Sequence, residues 1–169
     1  MKRAARWVLQ LGVMVLPAIA IYAWQTRDLL PAGERLAAPP FELRQLAGAP
    51  FRASSLDGRP AVLYFFAPWC GVCAASAAQL RWFERWSAGS VQVVLVALDY
   101  GSPAEVEDYA RRHALTMPVL LGDAAVAQAY RIRGFPTYYV LDAESRVAAR
   151  DFGFSTAPGL WWRTLGLSP

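Results

Sequence analysis

Residues 65–73 read Phe65-Phe66-Ala67-Pro68-Trp69-Cys70-Gly71-Val72-Cys73 and hold both cysteines of the 169-residue chain. Just upstream, Ala61–Phe66 (AVLYFF) is an unbroken apolar run entered through Gly58-Arg59-Pro60, the pattern of a strand covered on both faces. Downstream, Gly71–Ser87 carries Cys73, Ala77, Leu80 and Phe83 on one side, with Arg81, Glu84 and Arg85 largely off it, which predicts a helix. The pair therefore lies where a buried strand passes into a helix. Cys70 falls at the helix N-terminus, beside unpaired N–H groups and the positive end of the dipole, and Cys73 follows one turn later on the same side.

That placement favours thiolate over thiol, and the thiolate is the reactive form. One cysteine can attack a partner's disulfide while the other resolves the mixed disulfide. The dipole contributes ~0.3–1 kcal/mol, less than one pKa unit, and Gly71-Val72 adds neither charge nor side-chain donor. A moderately lowered Cys70 pKa is expected, which leans toward reducing chemistry. Two other uses compete with redox exchange. A structural staple is disfavoured because a domain of this size buries enough apolar surface without one. A zinc site usually wants four ligands, and only His113 joins the two cysteines. His113 closes a predicted helix and reads as a surface or capping residue. Copper(I) held by both thiolates remains the rival from another functional class. The reading calls for no metal and no cofactor.

The net charge of +4 hints at nucleic acid, but three of the cations, Lys2, Arg3 and Arg6, sit at the extreme N-terminus. The remainder is close to charge balance and has no concentrated basic face, so nucleic acid is excluded as a partner. After those charges, Trp7–Trp24 is an apolar run interrupted by Gln10, Gly12 and Pro17. As a helix it would span about 27 Å, close to a bilayer's hydrocarbon thickness. Trp7, Tyr22 and Trp24 lie near its ends, where interfacial aromatics are favoured, and the positive flank places the N-terminus in the cytoplasm. A cleaved signal peptide has the same layout, with Ala18-Ile19-Ala20 as a site. Either reading exports the remainder to an oxidising compartment, the periplasm or its equivalent. The expected organisation is a membrane anchor over 1–26, a Pro- and Gly-bearing linker over 27–40, and one domain over 41–169.

Within that domain the signals alternate. Phe41–Leu46 and Phe51–Ala53 are short strands around Gly48-Ala49-Pro50, and Val91–Leu98 is a second buried strand. Ser102-Pro103 with Glu105 opens a helix running to about His113. Val119–Leu121 reads as a strand, Ala124–Tyr130 as a helix, and Thr137–Leu141 with Val147–Phe152 as a hairpin. Pro158–Leu165 forms a last helix. The fold class is α/β, a mixed central sheet flanked by helices.

In this arrangement the chain resembles the thioredoxin superfamily, and most closely its membrane-anchored, extracytoplasmic TlpA/ResA/DsbE-like branch. The resemblance rests on PPFELRQLAGAPFRASSLDGRPAVLYFFAPWCGVC, the later PVLLGDAAVAQAYRIRGFPTYYVLDAESRV, and their order. It implies a thioredoxin-like fold with an extra N-terminal strand pair, preceded by one transmembrane helix. It also implies thiol–disulfide exchange with protein thiols and disulfides through Cys70 and Cys73, fed by a membrane thiol electron donor. Pro136 is expected to be a cis-proline facing the cysteines, leaving the Phe135 backbone free to pair with an extended peptide. Trp69 and Thr137 are expected to support the site. Thioredoxins carry a buried acid six residues before the first cysteine; Tyr64 stands there, and Asp99 is the candidate proton acceptor for Cys73. The glycine-rich insert usual in DsbE-type proteins is missing from AYRIRGFPT, which argues against a dedicated cytochrome role. The same-class rival to a reductase is a disulfide oxidase or isomerase.

Overall fold

A computed structural model describes residues 13, 15–17, 19–33 and 36–167. Seven strands, β1 (Glu42–Gln45), β2 (Phe51–Arg52), β3 (Ala61–Phe66), β4 (Gln92–Ala97), β5 (Val119–Leu121), β6 (Thr137–Leu141) and β7 (Val147–Phe152), form one sheet. Beside the sheet lie α1 (Gly71–Ser87), α2 (Pro103–Arg112), α3 (Ala124–Ala129) and α4 (Ala157–Thr164), and a 3-10 turn over Ala53–Leu56 follows β2. The order across the sheet is β2-β1-β5-β4-β3-β6-β7. β3, β4 and β5 run parallel, whereas β6 pairs antiparallel with β3, and β7 antiparallel with β6. The predicted extra pair is present, with β1 and β2 antiparallel and β1 added to β5.

Alternation along β3 sends its side chains to two separate cores. Val62, Tyr64 and Phe66 join Leu80 and Phe83 of α1, Val106 and Tyr109 of α2, and Leu160 of α4. Ala61, Leu63 and Phe65 face the opposite way, onto Val126, Tyr130, Leu29 and Leu30. All six residues of β3 are buried because both faces are covered, which is why the run reads as continuous rather than alternating. α1 to α4 each start on a residue whose side chain accepts a backbone N–H: Cys70 for α1, Ser102 for α2, Asp123 for α3 and Thr156 for α4.

The expected anchor, Trp7–Trp24, falls partly outside the described residues. Residues 19–26 are helical, and among the described residues no helix is long and apolar enough to cross a membrane. The stretch read as a linker is packed onto the domain over part of its length. Leu29 and Leu30 are buried, Arg150 Nη1 donates to both their carbonyls (2.9 and 2.7 Å), and Leu30 N–H donates to the Tyr139 hydroxyl (3.1 Å). Proline and glycine content signals turns, but the two leucines just before Pro31 add apolar surface to the second core.

Candidate active site

The parallel strands β3 and β4 deliver their carboxyl ends to one edge of the sheet, the usual location of sites in open α/β sheets. There β3 runs through Ala67-Pro68-Trp69 into α1. Cys70 N–H donates to the Ala67 carbonyl (3.1 Å), a tight turn that sets Cys70 as N-cap. Its sulfur accepts the Cys73 N–H (3.1 Å) and is joined to the Cys73 sulfur in a disulfide, with the Cα atoms 5.2 Å apart. Cys70 is 7% exposed and Cys73 is 0% exposed. The two cysteines are thus unequal: Cys70 keeps a small opening to solvent, whereas Cys73 has none.

Around Cys70 the surface is apolar and uncharged. Trp69 is 63% exposed, Gly71 and Val72 are exposed, and the Trp69 ring stands edge-on to Phe135 with centroids 5.9 Å apart. Trp69 Nε1 donates to the backbone carbonyl of Asp99 (3.0 Å), which ties the cysteine turn to the loop after β4. The Phe135–Pro136 peptide bond is cis. The Pro136 carbonyl accepts Gly153 N–H (2.8 Å), and Thr137 Oγ1 donates to the Gly134 carbonyl (2.9 Å), so this loop is pinned on both sides. Among the described residues, no hydrogen bond engages the Phe135 backbone N–H or carbonyl. Trp69 and Phe135, from far-apart segments, therefore meet at this edge, next in the chain to Cys70 and Pro136 respectively.

Behind Cys73 the environment is phenolic. Tyr64 is fully buried, and its hydroxyl donates to the Cys73 carbonyl (3.3 Å). Its ring lies against Tyr138, with centroids 4.9 Å apart. The hydroxyls of Tyr138 and Tyr109 are buried without hydrogen-bond partners among the described residues. Burial pushes the Tyr64 and Tyr109 phenols well above the usual range, with charge–charge interaction among the phenols a lesser contribution, and burial pushes the Tyr138 phenol up to about 12. The inner wall is therefore polar but neutral. Asp99, the candidate proton acceptor, is exposed, and it is its backbone carbonyl that contacts the site.

Sequence reasoning missed a cleft of about 640 Å³ that opens beside Phe135. Leu98, Ile132 and Phe135 line its apolar floor, and Asp99, Asp123 and Arg133 stand around it. It is assembled from the loops after β4 and β5, one side of α3 and the loop before β6, so no single stretch carries its pattern. The strand-end rule was the available signal. Gly122 is required where two of these loops meet, since a Cβ there would lie 2.7 Å from Leu98 Cδ2 and 2.8 Å from the Ala97 carbonyl oxygen. The Tyr100 hydroxyl donates to the Gly122 carbonyl (3.2 Å) and ties the two loops together. His113 takes the capping place expected of it, tilted against the Tyr109 ring at the end of α2. Among the described residues no three His, Cys, Asp or Glu side chains gather as a metal ligand set.

The AhpC/TSA family profile matches residues 35–150. The thiol-disulfide oxidoreductase ResA of Geobacillus thermodenitrificans is 27% identical over 154 residues, covering 87% of each chain. The soluble secreted antigen MPT53 of Mycobacterium tuberculosis is 51% identical over a shorter 55 residues, 32% of this chain and 30% of that protein. Among solved structures, a thiol:disulfide interchange protein of the thioredoxin family from Chlorobium tepidum superposes with a TM-score of 0.73 at 23% identity, covering 82% of this chain and all of the other. The last likeness establishes the thioredoxin-like fold. The profile match, spanning most of the chain including the cysteine turn and the cis-proline loop, places the chain in the AhpC/TSA family, with thiol-disulfide oxidoreductases among its homologues.

Proposed function

We propose that the chain is a membrane-tethered, extracytoplasmic reductase of protein disulfides, with Cys70 as the attacking sulfur and Cys73 as the resolving one. The observation that carries this order is the inequality of the pair: Cys70, at a helix N-cap, keeps 7% exposure, and Cys73 is wholly buried. In the reduced state, the Cys70 thiolate attacks one sulfur of a partner disulfide. A Cys70–partner bond forms, the partner's S–S bond breaks, and its second sulfur leaves as thiolate. Cys73, deprotonated, then attacks the Cys70 sulfur, forming the Cys70–Cys73 bond and expelling the partner's first sulfur. Two electrons pass to the partner, whose two thiolates take up protons, and a dithiol of a membrane electron donor restores the pair.

The backbone N–H of Cys73 directed at the Cys70 sulfur favours the thiolate. No cation or side-chain donor stands between the cysteines to depress the pKa further, which supports a reducing rather than a strongly oxidising poise. Trp69 and Phe135 form the apolar contact surface, and the free Phe135 backbone groups suit an incoming extended strand. The charge pattern of residues 1–26 supports an anchor with a cytoplasmic N-terminus, and the secreted relative supports an extracytoplasmic domain.

Alkylation trapping in cells tests the direction. A pair found mainly reduced supports the reductase, whereas a fully oxidised steady state overturns it in favour of an oxidase. A Cys73→Ser variant is expected to accumulate mixed disulfides through Cys70. Failure to trap any partner would count against the assigned order.

A further inference from the structure

The cleft beside Phe135 has a charge pattern that the exchange chemistry alone does not require. Asp99 and Asp123 stand at equivalent places: Ala97 of β4 pairs with Leu121 of β5, and each aspartate lies two residues beyond that pair. Adjacent strands are ~4.8 Å apart, so the two aspartates follow neighbouring strand ends, and both line the cleft. No ion pair among the described residues engages either one. Asp123 spends one oxygen on the Val126 N–H (2.8 Å) as the cap of α3, whereas no hydrogen bond among the described residues uses the Asp99 carboxylate. The cation of this cleft, Arg133, is already paired with Asp28 (2.9 Å). What remains is an apolar floor with uncompensated negative charge on one rim.

The cleft is also continuous with the redox surface. It shares Phe135 with the cis-proline loop, and the Asp99 carbonyl holds Trp69 in place. A partner chain lying along the Phe135 backbone with its cysteine at Cys70 would carry its neighbouring side chains over this floor and rim. We propose that the cleft is a recognition subsite for a cationic side chain, lysine or arginine, close to the reacting cysteine of the partner polypeptide, and that Asp99 is its specificity-determining residue. This rests on the thiol–disulfide exchange reading above and adds the class of protein substrate. The backbone at Asp99 is left-handed (φ 51°), a conformation that aspartate and asparagine tolerate better than most residues, so its charge can be removed without remaking the loop.

The test uses the full chain, reduced and held in detergent, with three peptides that differ only in the residue two positions from a single cysteine: arginine, glutamine or glutamate. Each cysteine is presented as its mixed disulfide with thionitrobenzoate. Attack by Cys70 forms the Cys70–peptide bond and releases coloured thionitrobenzoate, which gives the rate. The arginine peptide is expected to react about 5- to 10-fold faster than the glutamate peptide at low ionic strength, with the ratio shrinking in high salt. In Asp99→Asn the ratio is expected to fall to about 2 or below. Equal rates for all three peptides, a faster glutamate peptide, or an undiminished ratio in Asp99→Asn would each overturn the subsite while leaving exchange chemistry intact. Failure of the reduced wild-type chain to release thionitrobenzoate from any peptide would instead overturn the exchange reading.

Discussion

Cys70 and Cys73 are three residues apart in sequence and sit in opposite surroundings. Outside, Cys70 is ringed by Trp69, Val72 and Phe135, an exposed or half-exposed apolar surface with a cleft beside it. Inside, Cys73 is backed by Tyr64, with Tyr109 and Tyr138 in the same core: three phenols that burial keeps neutral across the physiological range. One turn of helix is enough to separate the two, because its N-cap lies at the strand end and its next turn is already under the sheet's neighbours. The difference teaches a division of labour. The outer region governs which partner arrives, and the inner region governs whether the helix bearing both sulfurs stays in place.

That division can be broken by substitutions on each side. The largest effect is expected inside. Tyr64→Ala removes a fully buried ring and the hydrogen bond to the Cys73 carbonyl, and should cost about 3–5 kcal/mol of stability in denaturant titration. A loss below about 1 kcal/mol would mean the inner wall is not a packed support. Outside, Trp69→Ala should lower kcat/KM for disulfide exchange about 10-fold while costing only about 0.5–1 kcal/mol of stability. A matching collapse of stability would erase the contrast.

The smallest effect is a pH dependence at the margin of the inner region, at His113. Burial lowers its pKa below the usual histidine value, and the charges of Arg112 and Arg81 push the same way. The unfolded chain therefore takes up a proton before the native one does. This contribution to stability is present above the unfolded pKa of about 6.5 and declines as pH falls through that value toward the lower folded one. Thermal melts of wild type and His113→Gln across that window should differ in slope, with the variant flatter. Parallel slopes would show that the histidine is not linked to folding.

Much of the fold was legible because local signals agreed with one another. β3 matched its apolar run, α1 its one-sided stripe, and α2 its Ser102-Pro103 start, each within a residue. The cysteine turn was readable from the same signals, since a buried strand followed at once by an amphipathic helix leaves little freedom to what lies between. The cleft was not readable. Leu98, Asp123 and Ile132 come from three loops, and their association depends on parallel register, which hydrophobic periodicity does not encode. The packing of Leu29 and Leu30 was hidden for another reason: a short apolar pair just ahead of a proline looks like noise until the second face of the sheet is seen to need a cover. Tyr64 was noticed as a departure from the thioredoxin pattern, but its bond to the Cys73 carbonyl required the register of β3 against α1.

The grip on Leu29 and Leu30 also sets a length scale. A free connector over residues 27–40 could extend to roughly 45 Å and let the domain wander that far from its point of attachment. Arg150 holds the chain at residues 29 and 30, and Asp28 is clipped to Arg133, two positions before Phe135. With the proposed anchor embedded, little slack would be left between the bilayer and the domain. The disulfide would then sweep a thin layer above the membrane instead of a wide hemisphere. Confinement of that kind raises the local concentration of Cys70 for thiols carried in or near the membrane plane.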